Sequence, residues 1–285
     1  MQALFDDVGL VIALTGVLAA ASAALLGSVL VVRGQAMLTD AVSHGVVFGI
    51  AATYLLTGAV SGPVQLLGAA AAGVLTVVLT QWLAASGRVR RDAATGLVFP
   101  ALFAAGVVIL SLFARDVHVD AHTVLLGEIG FVWLDQVPFL GLEVPRSTLV
   151  LAVVLLLDAA YVLAFWDRLV ASSFDPLHAK LRGLRPGGVS LGLLVLMAVT
   201  AVAALDAVGV VLFVAFAIVP AVAARLLAGS MGGVAVMAVA AASAAAVAGY
   251  PLAVALDVSI GGTMALLTAV PLAAAAAWRL ARARS

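Results

Sequence analysis

Cysteine is absent from all 285 residues. That excludes disulfides and thiolate metal ligands together, and with them the soft sites that select Cu(I). Charge is scarce as well. Asp, Glu, Lys and Arg make up 10% of the chain and cancel to a net charge of zero, where soluble domains carry about 25% charged residues. A neutral chain lacks the basic footprint of a nucleic-acid binder. Catalytic signatures are missing too: no H-E-x-x-H, G-x-S-x-G or G-x-x-x-x-G-K-S/T occurs. The chain therefore has no nucleotide-hydrolysing site of its own, and a pump driven by ATP needs a separate subunit to supply one. The strict apolar–polar alternation of a transmembrane barrel strand is also lacking.

What is there is apolar. Hydrophobic residues reach 65% and the mean hydropathy is +1.27, in continuous runs such as LVLAVVLLL and AVAAASAAAVAG. This is the composition of an all-α, polytopic membrane helix bundle, read as one transmembrane domain over residues 1–285. A span needs about 20 apolar residues. Reading between charges and turn signals places nine spans at Val8–Val32, Ala36–Thr57, Val64–Ala85, Ala93–Phe113, Thr148–Trp166, Val189–Leu205, Ala207–Ala228, Val234–Leu252 and Gly262–Trp278. The stretch from Val189 to Ala228 is twice one span and is split at Asp206. The first run follows an acidic FDD rather than a basic n-region, so it reads as a retained span. Abundant Ala and Gly suit close helix packing in lipid.

Short loops on the cytoplasmic side of a membrane are enriched in Lys and Arg. With the N-terminus outside and the C-terminus inside, the inner segments hold all of the basic residues except Arg115 and Arg146. Two loops are too long for simple turns. The outer one, Ala114–Ser147, collects Asp116, His118, Asp120, His122, Glu128, Asp135 and Glu143, a set that attracts cations or else forms an ordinary solvated loop. The inner one, Asp167–Gly188, contains SFDPLHAKLRGLRPGG, in which PLHAKLRGL is helix-like.

Asp40 and His44 stand out inside RGQAMLTDAVSHGVVFG, at residues 33–49. Four residues apart, they share one helix face, and both are hard to bury in hydrocarbon alone. A carboxylate and an imidazole suit Mn²⁺, Fe²⁺ or Zn²⁺. A second reading stays open, in which Asp40 caps the span and His44 bonds to a neighbouring helix. Two ligands are too few for a tight site, so others must come from elsewhere. Candidates are Asp158 in the fifth span, Asp206 and Asp257 near outer span ends, and the outer His118, Asp120, His122 and Glu128. Pro220 lies well inside an apolar run and is either a hinge or a packing kink.

These segments together resemble the permease subunits of bacterial manganese, zinc and iron ABC importers, the ABC-3 permease family. RGQAMLTDAVSHGVVFG is similar to that family's R-x-x-x-x-x-D-x-x-x-H segment, and RRDAATGLVFPALFAAGVVILSLF to its fourth-span segment. HVDAHTVLLGEI, SFDPLHAKLRGL and LDAVGVVLFVAFAIVPAVAARLL resemble its outer stretch, its F-D-P loop and its A-V-G…P-A stretch, in the same order. Two positions depart from the pattern: Pro100 stands where members often have Thr, and Leu125-Leu126-Gly127-Glu128 where L-F-G-N/D is common.

The resemblance implies that Asp40 and His44 handle the transported metal, and that Phe174, Asp175, Pro176, Ala179 and Gly183 dock on an ABC ATPase. It further implies an extracytoplasmic metal-binding protein, a second permease chain, no permanently bound cofactor, and residence in the bacterial inner membrane. The expected function is ATP-driven import of a divalent metal by alternating access. Two rivals remain at this point. One is a proton-coupled secondary transporter using Asp40, His44 and Asp158 as a relay; the other is a membrane metalloenzyme, which needs a third ligand beside the pair.

Overall fold

The computed structural model describes residues 7–58, 63–113, 129–139, 141–184 and 186–284. They form a helix bundle: α1 (Val8–Val32), α2 (Met37–Thr57), α3 (Pro63–Ala85), α4 (Arg91–Phe113), α5 (Arg146–Ala164), α6 (Trp166–Phe174), α7 (Pro176–Leu181), α8 (Pro186–Leu227), α9 (Met231–Leu256) and α10 (Ile260–Arg284). Among the described residues, eight of these helices are long and apolar enough to cross a membrane. A single turn at Ile129–Phe131 and a hairpin of β1 (Gln136–Phe139) with β2 (Leu142–Pro145) precede α5. The outer-loop reading did not foresee this hairpin. Its register pairs Phe139 with Leu142, and Gly141 adopts φ 81°, the left-handed conformation that tight hairpin turns demand.

Local chemistry sets the helix ends. Asp7 Oδ1 accepts from the Gly9 and Leu10 amides at 2.9 and 3.2 Å and opens α1. Ser230 Oγ accepts from the Gly233 amide at 3.1 Å and opens α9. Each satisfies amides that a helix start leaves without partners. The first helix is the axis of the bundle. Its Ala19, Ala20, Ala23, Ala24, Leu26 and Leu30 are fully buried, and it packs on α8, α9 and α5.

The expected division of Val189–Ala228 into two spans takes an unexpected form. Backbone helix continues from Pro186 to Leu227, and its one non-helical residue is Gly209, at φ 73° and ψ 171°. The break thus falls three residues after Asp206. Glycine alone tolerates that region of backbone space, for want of a Cβ. Pro220, the candidate hinge, lies within the helical second half of α8. The two halves of α8 run in opposite directions. Arg33 Nη1 reaches Ser190 Oγ near the start of α8 at 2.8 Å, while Arg225 near its end donates to the Val31 carbonyl at 2.9 Å. On a straight helix Ser190 and Arg225 would stand about 52 Å apart; here both meet the same end of α1. Among the described residues, eight long helices, one of them folded at Gly209, therefore make nine crossings.

The bundle has two distinct ends. Arg33, Ser172, Ser173, Ser190, Arg225 and Arg279 gather at one, where Arg279 also donates to the Leu226 carbonyl at 2.7 Å. At the other end Tyr250 packs against Gly9, and Ile260 approaches Gly130 just ahead of the hairpin. We refer to these as the arginine end and the hairpin end.

Candidate functional site

Asp40 lies in the first turn of α2 and His44 one turn further, so the pair sits near the arginine end of its span. The capping alternative for Asp40 does not hold: the N-cap position is Ala36, and no side chain bonds there. His44 Nε2 instead approaches Asp40 Oδ1 at 3.4 Å, with the two side chains 28% and 33% exposed. This partial exposure leaves lone pairs open to a ligand while the carboxylate orients the ring.

The packing of α4 explains the position of the imidazole. Phe99 stacks on it with ring centroids 5.8 Å apart, and Phe103 meets it edge-on at 5.9 Å. One turn further, a Cβ on Gly106 would lie 2.9 Å from the Phe48 backbone. Asp40, His44 and Phe48 thus form an i, i+4, i+8 stripe on α2, laid against the Phe99, Phe103 and Gly106 stripe of α4. On the neighbouring face, Gly45 lets α3 in so closely that a Cβ would collide with the Thr76 hydroxyl. The sequence reading missed Phe99 and Phe103, whose signal was their i, i+4 spacing beside Pro100. Pro100 itself leaves α4 helical.

The other candidate ligands do not join the pair. Asp158 is fully buried on α5, where the Thr200 hydroxyl of α8 approaches both of its oxygens at 3.0 Å. It ties helices together inside the bundle. Asp206 is exposed just before the Gly209 break. Asp257 closes α9 in the left-handed conformation at φ 52°. His118, Asp120, His122 and Glu128 lie outside the described residues. Among the described residues no group of three or more metal-ligating side chains converges.

The expected docking loop is two short helices at the arginine end. Asp175 forms the junction between α6 and α7, and Pro176 opens α7, a position where its missing N–H costs nothing. Ala179 is fully buried. Gly183, at φ 74°, ends the segment as the Leu184 amide bonds back to the Ala179 carbonyl at 3.1 Å. Phe174, Leu177 and Leu181 are 67%, 69% and 80% exposed. The sequence reading did not single out Leu177 and Leu181, whose i, i+4 spacing within α7 was the available signal.

Known proteins share this architecture and sequence. Residues 8–278 match the model of the ABC 3 transport family. The chain is 40% identical over 262 residues to the manganese transport system membrane protein MntD of Bacillus subtilis, covering 92% of this chain and 88% of that one. It is also 40% identical to the zinc transport system membrane protein TroD of Treponema pallidum, over 91% of this chain and 71% of that one. A probable iron transport system membrane protein of Haemophilus influenzae is 31% identical, over 95% and 93% of the two chains. Among solved structures, PsaBC from Streptococcus pneumoniae in complex with Fab superposes with a TM-score of 0.77 at 23% identity, covering 96% of this chain and 95% of that one. A match across nearly the whole length, in sequence and in helix arrangement alike, has one reading: this chain is a membrane protein that belongs to the ABC 3 transport family.

Proposed function

We propose that this chain is the membrane-spanning permease of an ATP-driven importer for a divalent transition metal ion, Mn²⁺, Zn²⁺ or Fe²⁺, and that Asp40 and His44 hold the ion as it passes. The half-exposed carboxylate–imidazole pair on one face of α2 carries this reading. The relatives named for manganese, zinc and iron transport support the choice of cargo. Two protein ligands give a weak site, which favours release, and the remaining coordination positions fall to water or to a second permease chain.

In this reading Phe174, Leu177 and Leu181 seat an ABC ATPase at the arginine end, with Asp175, Pro176, Ala179 and Gly183 fixing the shape of the segment. ATP binding and hydrolysis in that partner switch the bundle between outward and inward access, with Pro220 as a flexing point in α8. An extracytoplasmic binding protein delivers the ion to the hairpin end. In this reading the arginine end faces the cytoplasm of a bacterial inner membrane, which the distribution of basic residues supports.

The test is uptake of each metal into vesicles holding this chain with its ATPase and binding protein. ATP-dependent uptake of one metal, lost in both Asp40→Ala and His44→Ala while the assembled complex survives, is the expected result. Uptake that ignores ATP but follows a pH gradient would replace this reading with proton-coupled transport.

A further inference from the structure

Arg33 enters the topology only as a basic residue in an inner loop, yet it makes the densest polar contact at the arginine end. Its Nε donates to Ser173 Oγ at 2.9 Å, Nη1 to Ser190 Oγ at 2.8 Å, and Nη2 to Ser172 Oγ at 2.7 Å and to the Leu169 carbonyl at 3.3 Å. Three of these acceptors belong to α6, which leads into the docking segment, and the fourth to the start of α8. The acceptors are prepared for a guanidinium. Ser172 and Ser173 both spend their own hydroxyl protons on the Leu169 carbonyl, at 3.2 and 2.6 Å, so their oxygens present lone pairs to the planar fork of donors. Burial pulls the Arg33 pKa below its usual value, and nearby Arg91 adds to the effect, but a guanidinium keeps its charge in proteins.

The backbone side is equally fixed. Arg33 is the C-cap of α1. The turn that follows is closed by the Gly34 amide on the Val31 carbonyl at 3.1 Å, Gln35 on Leu30 at 2.8 Å, and Leu38 on Gln35 at 3.0 Å. Seven residues after Arg33 comes Asp40. Arg33 and this turn line one side of a cavity of about 410 Å³ that opens between the serines of α6 and α8 and Leu38, Thr80, Arg91 and Thr95 of α2, α3 and α4. α6 itself packs on α1, α5, α7 and α8.

We propose that Arg33 is the positioning residue that joins the docking segment to the metal pair: it clamps α6 to the α1–α2 turn, so that a displacement of α6 and α7 is passed to α2 and reorients Asp40 and His44. This role rests on the importer reading above. Its chemistry is specific to arginine, because lysine is a point donor and cannot serve acceptors on two elements from one rigid plane.

The test uses the complete complex with ATPase and binding protein, and compares wild type with Arg33→Lys, Arg33→Gln and the double variant Ser172→Ala, Ser173→Ala. Uptake per ATP hydrolysed should fall about tenfold in each, the size expected for losing one charge-assisted hydrogen bond, while assembly and the hydrolysis rate stay near wild type. A second readout is independent of transport. In this cysteine-free chain, spin labels at Met37→Cys and Lys180→Cys should hold one distance with and without ATP when Arg33 is present. In Arg33→Gln the distance should change on ATP addition. Wild-type complex that moves no metal would defeat the importer reading and leave the spin-label result to judge the clamp. Wild-type transport with unchanged uptake per ATP in the variants would overturn the role of Arg33. Failure of all three variants to assemble would do so as well, by assigning the contact to stability alone.

Discussion

Two carboxylates on the spans of this bundle have opposite surroundings. Asp40 is one-third exposed beside an imidazole. Asp158 is fully enclosed and meets the Thr200 hydroxyl. A buried polar group left without its partner costs about 1–3 kcal/mol, so Asp158→Ala, which strands Thr200, should lower the thermal midpoint of the detergent-solubilised protein. Asp158→Asn keeps an oxygen acceptor at that position and should restore most of the loss. A drop of equal size in both variants would show that the Thr200 contact contributes little. At this scale the sequence announced Asp40 and His44 through their i, i+4 spacing, but it could not separate them from Asp158. Position within a span says nothing about whether a threonine from a helix 42 residues along the chain has already claimed the carboxylate.

The docking segment makes the same point for an element. Its helix was legible in PLHAKLRGL, from the proline start, the apolar spacing and the terminal glycine. Which side faces outward was not, because Leu177, Ala179 and Leu181 alternate closely and only packing in the fold decides that Ala179 is the buried one. The exposed Leu177 and Leu181 give a prediction. Leu177→Ser with Leu181→Ser removes apolar contact with the ATPase at about 25 cal/mol for each Å² of buried apolar surface. Copurification with the ATPase should therefore weaken severalfold while the thermal midpoint of the isolated permease stays unchanged. An undiminished complex would show that the two leucines face lipid headgroups rather than the partner. The hairpin of β1 and β2 is the contrasting case. Short strands carrying two prolines, Pro138 and Pro145, have little strand signature, and a left-handed glycine at the turn is visible only in the fold.

At the scale of the molecule, nine crossings put the Val8 end of α1 and the Arg279 end of α10 on opposite faces. The proposed orientation, with the arginine end in the cytoplasm, can be tested directly. It predicts that a membrane-impermeant maleimide added to intact cells labels a single cysteine placed at Val258, 52% exposed at the hairpin end, and spares one placed at Lys180 until the membrane is opened. The reverse pattern would invert the topology and with it the side on which the ATPase binds. The bundle also leaves α4 with one stripe on α2 and α3 and most of its surface uncovered. The pair on α2 therefore lies beside a peripheral helix rather than at the centre of the monomer.

The sequence by itself determined that this is a multi-span helical membrane protein, how many times it crosses, where its cations lie and that an acid and a histidine share one face of a span. Each of those rests on features local in the chain: run length, loop charge and helical spacing. Only the tertiary structure decided that the turn between the sixth and seventh crossings is made at Gly209, that Phe99 and Phe103 hold the His44 ring, that Asp158 answers to Thr200, and that Arg33 ties α6 and the start of α8 to the turn before α2. Those outcomes depend on contacts between residues far apart in the chain. In a membrane, where nearly every helix is apolar all round, hydrophobic pattern does not choose the partner face; close packing of small residues and the satisfaction of a few buried polar groups do.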